Sequence, residues 1–558
     1  MRIAPLLALA VIFGPFSAPA AEPSPLIKIL DEELKRNFEA LKAKADPKPY
    51  FLAYAVTEQE MHGVSASLGA ITSTSKRHQR YLDITIRVGS PQLDNYHQIR
   101  GDFAQFTAGV PVALEDSREA IQRRLWAETD RVYRLAAQRL INIRTNKEVK
   151  VAVTEDSNDF SVEEAANGAE AVGALLFSPE DWTQRLRKLS GRFSKYPKVL
   201  ASQVAVSAMR ESKYFVSSEG TRVEHGRPFA RIMISAQAKA GDGMDLAATD
   251  SFSAADGKGL PKDSEIEESI DKVAKDLTNL LAAPLVEPFV GPAILSGRAA
   301  GVFFHEIFGH RIEGHRQKDE TDGQTFTKRV GESVLPEFLS VTFDPTLKVA
   351  ANEDLHGWYS FDDEGVRARK VPLVEKGILK TFLMSRTPIP NFPVSNGHGR
   401  REPGHEVVAR QSNLLVESSK TVPEKQLRQM LLDEIKRQGK PYGYYFQDIT
   451  GGYTTTGRRG FQAFKVIPLV VYRVYADGKE ELVRGADLVG TPLSSFAKIV
   501  GASDKLDVFN GYCGAESGSV PVSAVSPALL ISEMEIQKKD ASRDRPPLLP
   551  APSAGGAN

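Results

Sequence analysis

The chain reads as α+β: an N-terminal domain of mixed helices and antiparallel sheet, followed by a β-rich domain carrying one motif helix. Three observations predict this. In the first half, stretches with apolar residues every three to four positions alternate with strand-like runs. Prolines 284, 288 and 292 break the chain near its middle. Beyond about residue 328 helical periodicity gives way to strands and turns. At 558 residues the chain has room for two or three domains and a large core.

Leu26 to Ala45 is the first expected helix, with Leu30, Leu34, Phe38 and Leu41 at helical spacing. Tyr50–Val56, Val64–Ser73 and Tyr81–Val88 read as strands with turns between them. Ser117–Asn142 is a second helix, in which Leu125, Val132, Leu135 and Leu140 recur among arginines and glutamates. Ser178 opens a third, because Pro179, Glu180 and Asp181 suit a first turn. Val199–Met209, Tyr214–Val216, Thr221–Ala238 and Met244–Ser253 suggest antiparallel strands, and Ser264–Ala282 a charged amphipathic helix. After the proline-rich break, Ser296 can cap the helix that carries Glu306, and Gln317–Lys328 is a polar loop. Phe464–Tyr475 is a strand, Asp477-Gly478 a hairpin signal, Leu482-Val483 its return and Leu529–Ile536 the last strand. The expected domains are therefore 21–285 and 286–540, with a disordered tail over 541–558, rich in Pro, Ala, Gly and Ser. No internal repeat is found.

The N-terminus carries address information. Arg2, the apolar run Leu6–Phe13 and Ala18-Pro19-Ala20 have the form of a signal peptide over residues 1–20, so export to a periplasm or beyond is expected. Eight apolar residues are too few for a bilayer, which takes about twenty, and no other stretch is long enough. Lys+Arg and Asp+Glu both number 71, so nothing points to nucleic acid or an anionic membrane as partner. The small basic clusters Arg400-Arg401 and Arg458-Arg459 read as surface, with a peptide-carboxylate or loop-anchoring role as the alternative. His398 and His405, in a glycine-rich loop, read as surface or peptide-contacting, and Asp362, Asp363 and Glu364 as solvated acids of a turn.

The chemistry concentrates in His305-Glu306-Ile307-Phe308-Gly309-His310. Imidazoles ligate zinc-like cations, and an adjacent carboxylate can take a proton from the water such a cation activates. The spacing departs from H-E-x-x-H. Histidines at i and i+5 stand ~140° apart on a regular helix, so both reach one metal only if the helix breaks, and Gly309 permits that. His315 does not complete a longer three-histidine motif, because His310 falls one position late for it. Cys513, the one cysteine, lies in Gly511-Tyr512-Cys513-Gly514, which reads as a glycine-flanked turn. It is a buried small hydrophobe, a reactive thiol or a metal ligand. Two imidazoles and a thiolate with one open position would make a catalytic zinc set.

At this point the chain resembles the TldD/PmbA metallopeptidase family. His305 to His310 match its H-E-x-x-x-H, and Arg311-Ile312-Glu313-Gly314 continue it. Similar blocks follow in the family's order: Asp362-Asp363-Glu364-Gly365, Val374 to Leu379, Gly397 to Glu402, Gly451-Gly452-Tyr453, Val483-Arg484-Gly485, then Cys513-Gly514 and Ser519-Val520-Pro521-Val522. They cover roughly residues 290–535, and the motif is that of the catalytic branch. The resemblance implies a metallopeptidase with one divalent cation, zinc, held by His305, His310 and Cys513, and with Glu306 as general base. His315 stands where the family carries aspartate. His315, Arg311 and Tyr512 are candidates for supporting the ligands or contacting the transition state. The implied partners are a peptide substrate and a second chain, in a homodimer or in a heterodimer with a paralogue. The alternatives are a non-catalytic peptide-binding or maturation partner that keeps the metal site, and a closed structural site with His315 as fourth ligand.

Overall fold

The computed structural model describes residues 24–99, 103–149, 157–318, 322, 324–457, 464–490, 492–539 and 545–547. The α+β class holds. Two large sheets carry the chain, each with helices against it. In the N-terminal half, Pro49–Ser67, Ala70–Ser90, Ala201–Ser217, Arg222–Lys239 and Asp245–Ala254 form an antiparallel meander, with three short strands at its margins. The helices Pro25–Lys44 and Arg118–Val149 cover one part of it, and Pro179–Ser190 and Asp263–Ala282 another. Leu30, Leu34, Leu125 and Leu140 are buried with Tyr54, Ile84 and Ile86 of the strands, as an apolar helical stripe on an alternating sheet face requires.

The second sheet is mixed. Phe289–Leu295, Tyr442–Thr454, Phe464–Tyr475, Ala486–Gly490 and Gly518–Lys538 pair in that order, and Gly518–Lys538 pairs back onto Phe289–Leu295. These five strands close a ring. The motif helix Gly297–Ile307 packs on Gly518–Lys538 and Tyr442–Thr454, and its residues from Ala299 to Ile307 are all buried. A helix apolar on every side belongs inside a core. Phe303 meets Phe464 and Phe496 edge-on, both at 5.8 Å.

Polar contacts lock the halves together. The Glu406 carboxylate accepts from the Phe106 and Thr107 amides at 2.7 and 3.0 Å and from the Tyr96 hydroxyl at 3.0 Å. Arg386 donates to both Glu219 oxygens at 2.7 and 2.8 Å and to the Ser161 carbonyl.

Several expected elements differ. The three strands expected between 50 and 88 are one long hairpin that turns at Leu68-Gly69. Its polar middle stays paired because cross-strand ions such as Glu58–Arg80, at 2.6 Å, replace apolar alternation. Ala201–Ser217 likewise runs on through its charged centre. Cys513 lies in the strand Ile499–Ala515, opposite Val520, and not in a turn. The helix Glu424–Arg437 was not expected, although Leu427, Leu431 and Ile435 repeat at four-residue spacing. His398 is fully buried, donating to or accepting from Ser412 Oγ at 3.0 Å, and is not at the surface. Asp362, Asp363 and Glu364 are not solvated. Asp362 accepts from the amides of Glu364, Val366 and Gly399, and Asp363 pairs with Lys213 at 2.6 Å. Residues 1–20 and Arg458-Arg459 lie outside the described residues, as does the tail apart from 545–547.

Candidate metal centre

Ser296 caps the motif helix, its hydroxyl accepting from the Ala299 amide at 3.1 Å. The α-helix ends at Ile307, and residues Gly309–Ile312 tighten into a 3-10 turn. This is the break that i, i+5 ligation demands. It is built around Gly309, where a Cβ would overlap the carboxamide of Gln411. That buried carboxamide donates to the His305 carbonyl at 3.2 Å. The rings of His305 and His310 then stand 5.2 Å apart and nearly perpendicular.

The long hairpin of Ile499–Ala515 and Gly518–Lys538 brings in the third group. Cys513 Sγ lies 3.4 Å from His310 Nε2. One ligand atom from each of His305, His310 and Cys513 falls within 4.8 Å of the others, and all three residues are buried. Burial alone would push the thiol up, but His310 and His305 outweigh it and hold Cys513 well below the ordinary thiol range. Burial would lower His310, yet Cys513 and Glu313 together hold it well above the usual imidazole value. Both shifts run in the same sense, favouring the proton on His310 over Cys513.

Glu313 orients His310. Its Oε2 lies 3.3 Å from His310 Nδ1, which leaves Nε2 toward Cys513. Glu313 is fully buried between Arg316, at 2.8 Å, and Arg410, at 3.5 Å. Burial would raise its pKa, but His310 and the two arginines hold it at about 2. Arg410 also reaches the Cys513 carbonyl, Ser517 Oγ and the Gly518 carbonyl, and so fixes the hairpin tip to the motif.

Glu306 faces a cavity of about 300 Å³, lined with the three ligand candidates, Arg316, Thr454 and Glu516 among others. Gly452 makes room for it, since a Cβ there would sit 2.8 Å from Glu306 Cγ. Tyr453 and Tyr512, 56% and 51% exposed, stand at the cavity lips. Arg311 points elsewhere. It donates to the carbonyls of Glu306 and Ile307 at 3.2 Å each and to Thr454 Oγ1 at 2.6 Å, stapling the helix end to the sheet. His315 binds Glu516 through Nε2. It is not among the cavity-lining residues, and the described cluster of ligand atoms does not include it. Sequence reasoning named neither Glu313, Arg410 nor Gln411 as supports. Only Glu313, three residues past His310, had a local signal.

Residues 155–283 match the PmbA/TldA metallopeptidase central domain and residues 290–538 its C-terminal domain. A metalloprotease of Archaeoglobus fulgidus is 32% identical over 265 residues, 47% of this chain and 56% of that protein. The metalloprotease TldD homologue of Haemophilus influenzae is 27% identical over 357 residues, 61% of this chain and 68% of that protein. The chain thus spans between about half and two thirds of the length of these relatives. In fold it is similar to the crystal structure of TldE from Thermococcus kodakarensis, with a TM-score of 0.60 and 16% identity over 91% of this chain and 99% of that one. The terms signal peptide and secreted, expected from the sequence, find no support in the relatives, which are named as metalloproteases and TldD homologues, and residues 1–20 lie outside the described residues. From Pro25 on, the N-terminal chain is built into a folded domain, with Leu26 and Leu30 in its core. Matched along two successive domains that cover residues 155–283 and 290–538, the chain belongs to the TldD/PmbA metallopeptidase family.

Proposed function

We propose that this protein is a metal-dependent peptidase acting on unfolded or small peptides. The observation that carries the reading is the convergence of His305, His310 and Cys513 on one point beside Glu306, in a cavity open to solvent. The donor set fits a zinc-like divalent cation: two imidazole nitrogens and a thiolate leave a fourth position free, as catalytic zinc sites do. His305, His310 and Cys513 would hold it. When bound, such a cation supplies Lewis-acid chemistry, lowering the pKa of water and polarising a carbonyl.

The chain's own groups do the rest. Glu306 accepts the proton of the attacking water on a carboxylate oxygen and delivers it to the leaving amine nitrogen. Glu313 keeps His310 in the tautomer whose Nε2 is the ligand. Arg311 holds the carbonyls of Glu306 and Ile307, which fixes where the Glu306 side chain leaves the helix. Tyr512 and Tyr453 flank the entrance and offer hydroxyls to a peptide backbone. A cavity of about 300 Å³ admits a few extended residues and excludes a folded domain.

Metal content and turnover of an unfolded peptide, with and without a chelator, test this reading. Chelator-sensitive cleavage that disappears in Glu306→Gln supports it. Equal peptide binding with no cleavage by wild type or variant supports a binding partner instead. We also infer a dimer, with a second copy or a paralogous chain, on the family resemblance. Light scattering that returns the mass of one chain, 61.1 kDa or less, counts against it.

A further inference from the structure

A second cavity, distinct from that of the metal centre, lies in the seam between the two halves. It is small, about 30 Å³, and its wall includes Lys213, Arg227, Trp358, Asp363, Arg400 and Pro521. Room of about 10–15 Å³ already holds one water-sized guest. Arg227 is 7% exposed, and its Nη1 is buried without a hydrogen-bond partner. Among the described residues no carboxylate lies within ion-pair distance of Arg227 or of Arg400, although both are buried. The acids of the wall are engaged elsewhere. Asp363 takes Lys213 at 2.6 Å and the Arg401 amide at 2.9 Å. Asp362 takes three backbone amides. Glu211, across the strand pair from Arg227, accepts from Gln59 at 2.9 Å and sits 3.7 Å from Lys213. Arg400 spends Nη1 on the carbonyls of Gln411 and Pro521. The charge of Glu211 reaches Arg227 without a hydrogen bond between them; a buried guanidinium N–H left without an acceptor is costly, so a pocket that keeps one open is suited to a guest that accepts from it.

We propose that this cavity is a binding site for a small monovalent inorganic anion of the halide class, with Arg227 as its principal ligand and Arg400 as its second cation. At about 30 Å³ the cavity suits a guest no larger than about two waters. The site sits behind the metal centre. Arg400 holds the Gln411 and Pro521 carbonyls, Gln411 donates to the His305 carbonyl, and Pro521 pairs with Tyr512, the neighbour of Cys513. An anion there neutralises the seam on which the metal-bearing hairpin rests. The inference does not depend on the peptidase reading, and its test reads occupancy and stability, not turnover.

The probes are bromide and chloride. Crystals soaked in bromide should give an anomalous peak beside the Arg227 guanidinium. Melting temperature should rise with potassium chloride, measured against potassium gluconate at equal ionic strength, by about 1 °C per tenfold rise above the Kd. Arg227→Met should remove both the peak and the halide-specific rise. If that variant does not fold, the wild-type bromide map decides alone. A cavity without bromide overturns the proposal, leaving a water site, as does a halide effect that persists undiminished in folded Arg227→Met.

Discussion

At the residue scale, the proposed mechanism divides labour between groups that would hold the metal and a group that would move a proton. Glu306→Gln should retain bound metal and lose about 10²–10⁴ in turnover, since the amide cannot accept a proton. Cys513→Ala should lose metal, because two imidazoles remain and the one anionic donor is gone. Bound metal per chain and peptide turnover, measured on both variants, check this. Full metal and full activity in Cys513→Ala would move the third ligand elsewhere. Glu313→Gln should weaken metal binding by about 10- to 100-fold while keeping the fold, because the carboxylate orients His310 and adds to its basicity. A metal titration against a competing chelator reads it, and an unchanged affinity would reduce Glu313 to a structural ion pair. The residues that converge are legible in the sequence where chemistry forces an unusual local pattern: two histidines around a glutamate, and a lone cysteine. Arg410 and Gln411 are not. They act from about a hundred residues away through contacts that no spacing rule encodes, and Arg410 looks in sequence like any surface arginine.

At the scale of elements, the break in the motif helix does the positioning. Gly309 is the one place in it where a side chain would meet the Gln411 carboxamide. Gly309→Ala should therefore push Gln411 off the His305 carbonyl. Overpacking of this kind costs about 1–3 kcal/mol, and metal affinity should fall with it. Denaturant midpoint and metal content measure the two effects, and an alanine variant unchanged in both would show that Gln411 can move freely. Helices with caps and regular apolar spacing, such as Pro179–Ser190 behind Ser178, are readable because their signals are local. The long strands are harder. Ile499–Ala515 includes Gly511 and Gly514 around Cys513, which local propensity reads as a turn. Pairing with Gly518–Lys538 overrides it, since a ladder of backbone hydrogen bonds outweighs the small propensity of two glycines. The expected turns within Pro49–Ser67 and Ala70–Ser90 fail for the same reason.

At the scale of the whole molecule, three histidines away from the metal centre are sealed in the interior and kept neutral. Burial pushes His398 down to about 3 and His225 to about 4, and holds His356 well below its ordinary value. The sign follows directly. An unfolded chain takes up these protons near pH 6.5, whereas the folded chain refuses them until much lower pH. The unfolded state thus binds more protons between about pH 6.5 and 4, and stability falls as pH falls through that window. Each such histidine contributes up to about 1.4 kcal/mol per pH unit there. Depressed carboxylates such as Glu313, held at about 2, act below about pH 4.5, so the two effects separate on the pH axis. His310 works in the opposite sense while metal-free, being held above its usual value, and this term is common to any variant that leaves the centre alone. His398→Gln is such a variant: it retains a polar group toward Ser412 and removes the titration. Its absolute stability at pH 7 can fall, but its loss between pH 6.5 and 4.5 should be smaller than that of wild type by about 2–3 kcal/mol. Urea midpoints at half-unit pH steps give both slopes. Parallel slopes for wild type and variant would mean that His398 takes up its proton in the folded protein, and that the interior around Ser412 and Asn396 opens to water.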